Sequence, residues 1–124
     1  MKQVLATEQA PAAIGPYSQG IAAGETVYVS GQLPLDPATG AFPEGIAAQT
    51  AQSLKNIQAI LAQQGMTLAN VVKTTVFLAD INDFAEMNKV YGEFFTQPYP
   101  ARSAVQVAKL PKDAPLEIEC IALK

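Results

Sequence analysis

Apolar and polar residues alternate in several short stretches of the chain, and each such stretch predicts a β-strand. The first covers residues 2–5, and residues 21–23 and 26–30 follow on either side of Gly24-Glu25. This spacing is typical of a β-hairpin with a two-residue turn. Because glycine stands first in the turn, we expect type II′.

Two longer stretches have helical periodicity instead. In residues 45–64, apolar and small side chains recur every three or four positions, which predicts an amphipathic helix with Gly65 as its C-cap. Residues 80–83 then offer capping side chains for a second helix. Its stripe of large apolar side chains consists of Phe84, Met87, Tyr91, Phe94 and Phe95. We interpret this stripe as core packing, because the spacing matches one helical face.

Three more strands are predicted in the second half of the chain. Residues 71–78 are rich in β-branched side chains and predict a central strand, with one side formed by Val72, Thr74, Val76 and Leu78. Residues 103–108 follow directly after Arg102 and alternate again. The last strand starts at Leu116 and carries Glu117 and Glu119 on one face. We therefore expect the guanidinium and the two carboxylates to lie on neighbouring strands.

The order of these elements predicts an α+β fold over residues 1–124, a single domain with both helices on one face of a mixed sheet. Several strands have apolar residues on both faces, as in Val27 and Val29 against Tyr28. Two helices cover only one face, and 49% of the residues are hydrophobic while 15% are charged. We expect symmetry mates to bury the second face, so that binding sites lie in clefts between subunits.

Charge and cysteine content limit the partners and the location of the protein. The net charge is −3 and the lysines are scattered, which argues against nucleic acid as a partner. The N-terminus turns polar too early for a signal peptide, and no apolar run reaches membrane-spanning length. The single cysteine, Cys120, lies in an apolar strand and is expected to be a core residue. We expect a cytoplasmic protein without a membrane partner.

The residues that are missing restrict the chemistry further. The chain has no histidine and one cysteine, so a Ser-His or Cys-His pair and the usual zinc ligands are excluded, and no metal site is expected. Arg102 is the only arginine, and its planar guanidinium matches a carboxylate bidentately. Glutamate can hold or deprotonate water. This set suits a small carboxylate-bearing substrate attacked by water. The alternative is a structural ion pair between Arg102 and Glu117 or Glu119 across adjacent strands.

Several motifs, in the right order, resemble those of the RidA/YjgF family. They are the run from Pro100 to Leu110 closed by residues 116–118, the segment 10–20 that contains Gly-Pro-Tyr-Ser-Gln-Gly, Val-Ser-Gly-Gln at 29–32, and residues 72–78. The resemblance covers essentially the whole chain. It implies a chorismate-mutase-like fold and a homotrimer with a barrel-like centre and three ligand sites between subunits.

The resemblance also implies an activity, the hydrolysis of reactive enamines and imines such as 2-aminoacrylate to 2-oxo acids and ammonia. No metal or organic cofactor is expected. By match to the family motif, Arg102 holds the substrate carboxylate and Glu117 holds the attacking water. The residues that line the pocket and orient ligand or water are Tyr17, Ser30, Gly31 and Asn88. Ala104 replaces a cysteine that is frequent in the family, and we expect it to contribute a backbone contact.

Two other functions remain open at this point. One is a trimeric module that binds or senses small 2-oxo or 2-amino acids without turnover. The other is an endoribonuclease, a label that some family members carry, although the acidic composition argues against it.

Overall fold

The computed structural model describes residues 1–124 and contains one six-stranded sheet and two α-helices. The helices are α1 (Ile46–Leu61) and α2 (Phe84–Phe94). The strands are β1 (Lys2–Leu5), β2 (Gly20–Ala23), β3 (Thr26–Gln32), β4 (Val71–Leu78), β5 (Ala101–Gln106) and β6 (Leu116–Leu123). Every strand and helix predicted from periodicity is therefore present, although β5 begins at Ala101 and includes Arg102. None of the helices is both long and apolar enough to cross a membrane.

The strand order across the sheet is β1-β2-β3-β6-β4-β5. Only the pair β4 and β5 is parallel, so the sheet is mixed as predicted. β4 lies in the interior of the sheet, between β6 and β5. The prediction that Arg102 and the two carboxylates lie on neighbouring strands is therefore wrong. A parallel pair needs a crossover connection, and α2 is the crossover from β4 to β5.

Both helices pack on the same face of the sheet, as the element order predicted. The core between them includes Leu54, Ile57 and Ile60 of α1 and Met87 of α2, all with no exposed surface. The predicted capping of α2 is confirmed only for the turn before the helix, because Asp83, the N-cap of α2 itself, makes no side-chain capping hydrogen bond. Asp80 accepts a hydrogen bond from the amide of Asn82 at the start of the turn that leads into α2.

The two glycines predicted to adopt positive φ do so. Gly65 has a φ of 66° and ends the helical turn after α1, as a C-cap requires. Gly24 has a φ of 60°, whereas Glu25 does not have a positive φ, and Ala23 pairs with Thr26. These are the features of a two-residue type II′ turn.

A β-bulge in β4 overturns one detail of the predicted alternation. Val71 pairs with Ala122 and Lys73 pairs with Ile121, so Val72 is the extra residue. Val71 is buried while Val72 is 47% exposed. The prediction that Val72 shares the buried side with Thr74 is therefore wrong, because the inserted residue shifts the phase of the first two positions.

The face of the sheet opposite the helices, here called the open face, is not covered within the chain. Tyr28 pairs with Ile121 on this face, and Val105 lies farther along it. Tyr28 and Val105 are among the exposed large apolar side chains. Apolar residues on an uncovered face agree with the expectation of an oligomer. The homotrimer itself stays a prediction.

Candidate functional site

Arg102 lies on the helix-covered side of β5, at the edge of the sheet. It pairs with Thr74, which pairs in turn with Cys120, and both of these residues are buried beneath the helices. Its Nη1 donates a hydrogen bond of 2.7 Å to Asn88 Oδ1. Its Cζ lies 4.7 Å from the ring centroid of Tyr91 and 5.4 Å from that of Phe84. One polar and two aromatic neighbours therefore orient the guanidinium.

All three of these neighbours come from one face of α2. Phe84, Asn88 and Tyr91 are separated by four and three residues, the spacing that aligns side chains along a helix. The Tyr91 hydroxyl is 2.7 Å from Thr74 Oγ1, which fixes the ring against β4. Burial raises the pKa of Tyr91, although the Thr74 hydrogen bond and the positive charge of Arg102 act in the opposite direction. The phenol is thus a neutral support for Arg102.

No carboxylate of the chain pairs with Arg102. The only ion pair is the exposed one between Lys109 and Asp113, at 2.9 Å. β4 separates Arg102 from Glu117, whose partner across the ladder is Phe77 on the open face. The alternative of a structural ion pair between Arg102 and Glu117 or Glu119 is therefore wrong. The guanidinium keeps donors free for a carboxylate from outside the chain.

A second group of predicted site residues gathers at the end of β3. Val29 pairs with Cys120 and Gln32 pairs with Ile118, so Ser30 and Gly31 form a β-bulge opposite Glu119. The Ser30 hydroxyl donates to the Ser18 carbonyl at 2.5 Å, next to Tyr17. The bulge thus joins β3 to the loop that carries Tyr17.

Gly31 lies directly against the carboxyl group of Glu117. A Cβ added at position 31 would be 2.6 Å from Glu117 Cδ, so a larger residue would displace the carboxylate. Burial raises the pKa of Glu117, and the negative charge of Glu119 raises it further. Glu117 is half-buried whereas Glu119 is exposed, so the two carboxylates on this face have different environments.

A cavity of about 560 Å³ opens on the open face beside the second group. Tyr17 and Ser30 line it, together with Lys73, Thr75 and Glu119. Gly31 and Glu117 do not line it, but Gly31 follows Ser30 in the bulge and contacts Glu117. Arg102 and Asn88 do not line it either, and they lie on the helix-covered side of the sheet. The predicted residues therefore form two groups within the chain, which we call the arginine group (Arg102, Asn88 and Ala104) and the glutamate group (Tyr17, Ser30, Gly31 and Glu117).

Ala104 belongs to the arginine group by its position on β5. It is two residues beyond Arg102 and points to the same side, half-buried against the core. Nowhere in the chain do three or more histidine, cysteine, aspartate or glutamate side chains come close enough together to hold a metal ion.

Comparison with known proteins identifies the family. Residues 7–124 match the family model described as endoribonuclease L-PSP. The 2-iminobutanoate/2-iminopropanoate deaminase of Salmonella typhimurium is 53% identical over the whole chain and 99% of its own length. The chain belongs to the RidA/YjgF family. The RidA/YjgF relative of the same name from Escherichia coli K12 is 51% identical over the whole chain and 99% of its own length.

Solved structures of RidA/YjgF proteins have the same fold. The crystal structure of the E. coli YjgF gene product aligns with a TM-score of 0.94 at 51% identity, covering 98% of each chain. E. coli TdcF, solved with bound serine, aligns with a TM-score of 0.94 at 47% identity over the same share of each chain. The fold class predicted from the element order and the resemblance is therefore confirmed at the level of the single chain.

Two aromatic side chains of this RidA/YjgF chain have a role that the sequence pattern did not predict. Phe84 and Tyr91 pack against the core, as their spacing predicts, but they also contact the Arg102 guanidinium. Their helical spacing from Asn88 was the available signal. Only the position of β5 beside α2 shows that this face of α2 meets an arginine.

Proposed function

We propose that this chain is a cofactor-independent 2-iminobutanoate/2-iminopropanoate deaminase, a hydrolase that converts small 2-imino acids to 2-oxo acids and ammonia. The observation that carries the proposal is that the Arg102 guanidinium is oriented but has no carboxylate partner. It is held by Asn88 and by two aromatic rings, yet no carboxylate of its own chain pairs with it. An oriented and unpaired guanidinium is suited to bind a substrate carboxylate bidentately. The names of the relatives at 51% and 53% identity support the same reaction.

The proposed assembly is a homotrimer in which each site is shared by two chains. Within one chain, the arginine group lies on the helix-covered side and the glutamate group lies toward the open face. A small 2-imino acid cannot contact both groups across the sheet. We therefore assign the arginine group of each site to one subunit and the glutamate group to its neighbour. The exposed apolar side chains of the open face support burial against other copies.

The reaction needs water to attack the imine carbon. In the proposed site the Arg102 guanidinium fixes the carboxylate, and Glu117 accepts a proton from the attacking water as the new C–O bond forms. The imine nitrogen takes up a proton, which gives a tetrahedral carbinolamine. The amino group of the carbinolamine then takes up a second proton, and the C–N bond breaks as ammonia leaves. The hydroxyl gives up its proton at the same time, which balances the proton added to nitrogen and yields the 2-oxo acid. An enamine substrate first tautomerises to the imine by protonation on carbon.

The environment of Glu117 suits this proton transfer. Its raised pKa, caused first by burial and then by Glu119, makes the carboxylate a stronger base than an ordinary glutamate. Because an imine carbon is already electrophilic, the main tasks are to fix the carboxylate and to hold water beside the carbon. Positioning of this kind can lower a barrier by several kcal/mol, roughly 7–11 in favourable intramolecular cases.

The test couples a serine or threonine dehydratase to the purified protein and traps the free imine with semicarbazide. We expect the wild type to divert flux from the trapped product to the 2-oxo acid. Arg102→Ala should abolish this effect, and Arg102→Lys, which keeps the charge but loses the bidentate fork, should recover only part of it. Failure of the wild type to change the flux would refute the proposal.

A ligand-binding module without turnover is the second candidate. The structure of the 47% identical relative TdcF contains bound serine, which favours small amino or oxo acids as ligands. This candidate predicts saturable binding of 2-oxobutanoate that Arg102→Ala weakens, with no effect of the wild type in the dehydratase assay. Binding together with catalysis supports the deaminase.

An endoribonuclease is a weaker third candidate, which rests on the description of the matched family model. The net charge of −3 and the single arginine give little attraction for a phosphate backbone. RNA cleavage that survives stringent purification and disappears in Glu117→Gln would reverse this judgement.

The proposal also includes a cytoplasmic location, which the single, buried cysteine favours.

A further inference from the structure

Gln19 is a buried amide whose hydrogen bonds organise the loop between β1 and β2. Its side chain is 4% exposed. Its Nε2 lies 2.7 Å from the carbonyl oxygen of Pro11, 3.0 Å from that of Thr7 and 3.3 Å from that of Ala10. Its Oε1 accepts from the amide of Thr7 at 2.7 Å. Residues 6–19 form no strand or helix, so this one carboxamide replaces the regular backbone bonding that the loop lacks.

Only a carboxamide fits this set of partners. Three backbone carbonyls require a donor and one backbone amide requires an acceptor, and a glutamine side chain offers both. A carboxylate of the same shape is an acceptor only, and it would face the three carbonyl oxygens with no hydrogen to share. The chemistry of the loop therefore selects glutamine over glutamate at position 19.

The backbone beside Gln19 connects the loop to the glutamate group. The amide of Ser30 donates to the Gln19 carbonyl at 2.9 Å, and the Ser30 hydroxyl donates to the Ser18 carbonyl. Ser30 and Gly31 form the bulge, and Gly31 is in contact with the Glu117 carboxyl. A series of contacts thus runs from the Gln19 backbone through Ser30 and Gly31 to Glu117, and the Gln19 side chain ties this backbone to the loop at Thr7, Ala10 and Pro11.

The start of β2 gives this series a rigid support. A Cβ at Gly20 would be 2.8 Å from Ile60 Cγ2, so the backbone next to Gln19 is packed tightly on α1. Ile60 is fully buried in the core. Displacement of the backbone beside Gln19 toward the helices would therefore press on the last turn of α1, where Ile60 lies.

We propose that Gln19 is a positioning residue for the glutamate group, and that its carboxamide holds the loop of Tyr17 against the Ser30–Gly31 bulge so that Glu117 faces the attacking water. The inference rests on the proposed deaminase function and adds a residue to that site. It predicts a specific kinetic effect. Loss of the carboxamide lowers kcat by about tenfold to a hundredfold, because water is misplaced. KM changes less than about twofold, because the carboxylate is bound by the separate arginine group.

The first test compares Gln19→Glu with Gln9→Glu. Gln9 lies in the same loop with an exposed side chain, so the second variant makes the same charge change without touching the buried contacts. We expect Gln19→Glu to lose kcat and Gln9→Glu to match the wild type. A wild-type kcat in folded Gln19→Glu, or an increase in KM at constant kcat, would overturn the proposal.

A pH series on the same variant separates positioning from general damage to the fold. When the carboxyl group introduced by Gln19→Glu is protonated, it regains one donor, so the ratio of variant to wild-type kcat should rise as the pH falls. Besides Tyr17, the only titratable side chain that lines the adjoining cavity is Glu8, which is exposed and present in both proteins. A ratio that does not change with pH would contradict the assigned role of the carboxamide hydrogens.

A measurement that does not depend on catalysis tests the positioning role of Gln19 independently of the proposed deaminase function. Hydrogen exchange at the Ser30 amide should be at least tenfold faster in Gln19→Ala than in wild type, while the amide of Val76 in β4 keeps its protection. If the wild type has no deaminase activity, the proposed function fails, and the exchange rate of the Ser30 amide alone then tests whether Gln19 positions the bulge. Unchanged protection of Ser30 would then overturn the positioning role. If Gln19→Ala does not fold, Gln19→Glu measured at two pH values supplies the same comparison.

Discussion

Arg102 and Glu117 lie on opposite faces of one sheet, with β4 between their strands. Two residues that we propose to share one site are thus kept apart within the chain. This separation accounts for the absence of an ion pair between them, and it leaves each with its charge unpaired. It also makes the proposed activity dependent on a second copy of the chain.

Mixed trimers test this dependence directly. We expect Arg102→Ala and Glu117→Gln each to be inactive as pure proteins. Co-expressed in equal amounts and assorted at random, they should form about one quarter of their sites from two intact groups, with activity to match. Arg102→Ala mixed with Asn88→Ala is the control, because both changes affect the arginine group and no intact site can form. Activity equal to the mean of the two parents would contradict a shared site. A sedimentation mass of one or two chains would contradict the trimer.

The contact between Tyr91 and Thr74 predicts a pairwise stability effect. Tyr91→Phe leaves the fully buried Thr74 hydroxyl without its 2.7 Å partner, so the free energy of unfolding should fall by about 1–2 kcal/mol. Adding Thr74→Val should restore part of that loss. A chemical denaturation series on the two single variants and the double variant measures the coupling. Strictly additive effects would show that the hydrogen bond contributes nothing.

Two substitutions at Tyr91 distinguish the contribution of its ring to substrate binding from that of its hydroxyl. Tyr91→Phe keeps the aromatic face 4.7 Å from the Arg102 Cζ and should leave KM nearly unchanged. Tyr91→Leu removes that face, and the loss of a cation–π contact should raise KM about two- to fivefold. Steady-state kinetics on the two variants gives the comparison. An equal KM in both would show that the ring does not position Arg102.

Gly31 is predicted to be essential because of its contact with Glu117. In Gly31→Ala the new methyl group would lie 2.6 Å from Glu117 Cδ, so the carboxylate must move. A displacement of about 1 Å can reduce kcat about a hundredfold. Gly92→Ala in α2 is the matched control, because nothing lies within 4 Å of its added Cβ and helix propensity favours alanine by about 1 kcal/mol. Full activity in Gly31→Ala would exclude Glu117 as the group that holds water.

The raised pKa of Glu117 predicts how stability depends on pH. The folded protein holds this proton more tightly than the unfolded chain, whose carboxyl has the ordinary value of 4.5. The contribution of Glu117 is therefore fully present below pH 4.5 and is lost as the pH rises through the folded-state pKa. Glu117→Gln should be more stable than wild type at about pH 7 and no more stable at about pH 4.

Thermal unfolding of Glu117→Gln at the two pH values, at one chain concentration, tests this. Glu25→Gln, in the exposed hairpin turn, controls for the loss of one negative charge. A stabilisation by Glu117→Gln that is larger at the acidic pH than at the neutral pH would contradict the assigned direction of the shift.

Cys120 is predicted to be unreactive in the folded protein. It is 3% exposed, and burial, with a smaller contribution from Glu119, raises the pKa of its thiol to about 12. At pH 8 only about one such thiol in ten thousand is ionised, and the thiolate is the reactive form. A disulfide reagent should therefore react slowly with native protein and release one thiol per chain in guanidinium chloride. Equal rates in the two states would show that the strand opens readily.

Local pattern was sufficient for most elements of this chain. The helical periods at residues 45–64 and 84–95 and the turn at Gly24-Glu25 depend on neighbours within a few positions, and the structure has them where they were predicted. Composition also restricted the chemistry, since a chain without histidine and with one arginine has few ways to bind and hydrolyse a small acid. These properties belong to the sequence itself.

The tertiary structure decided which of these residues meet. Alternation along a strand tells which side chains share a face of that strand, but it does not tell which strand lies beside it. The insertion of β4 between β5 and β6 separates Arg102 from Glu117, and the bulge at Ser30 and Gly31 gives Glu117 its position. Strand order and bulges result from pairing between segments far apart in the chain, and so they depend on how the whole core packs.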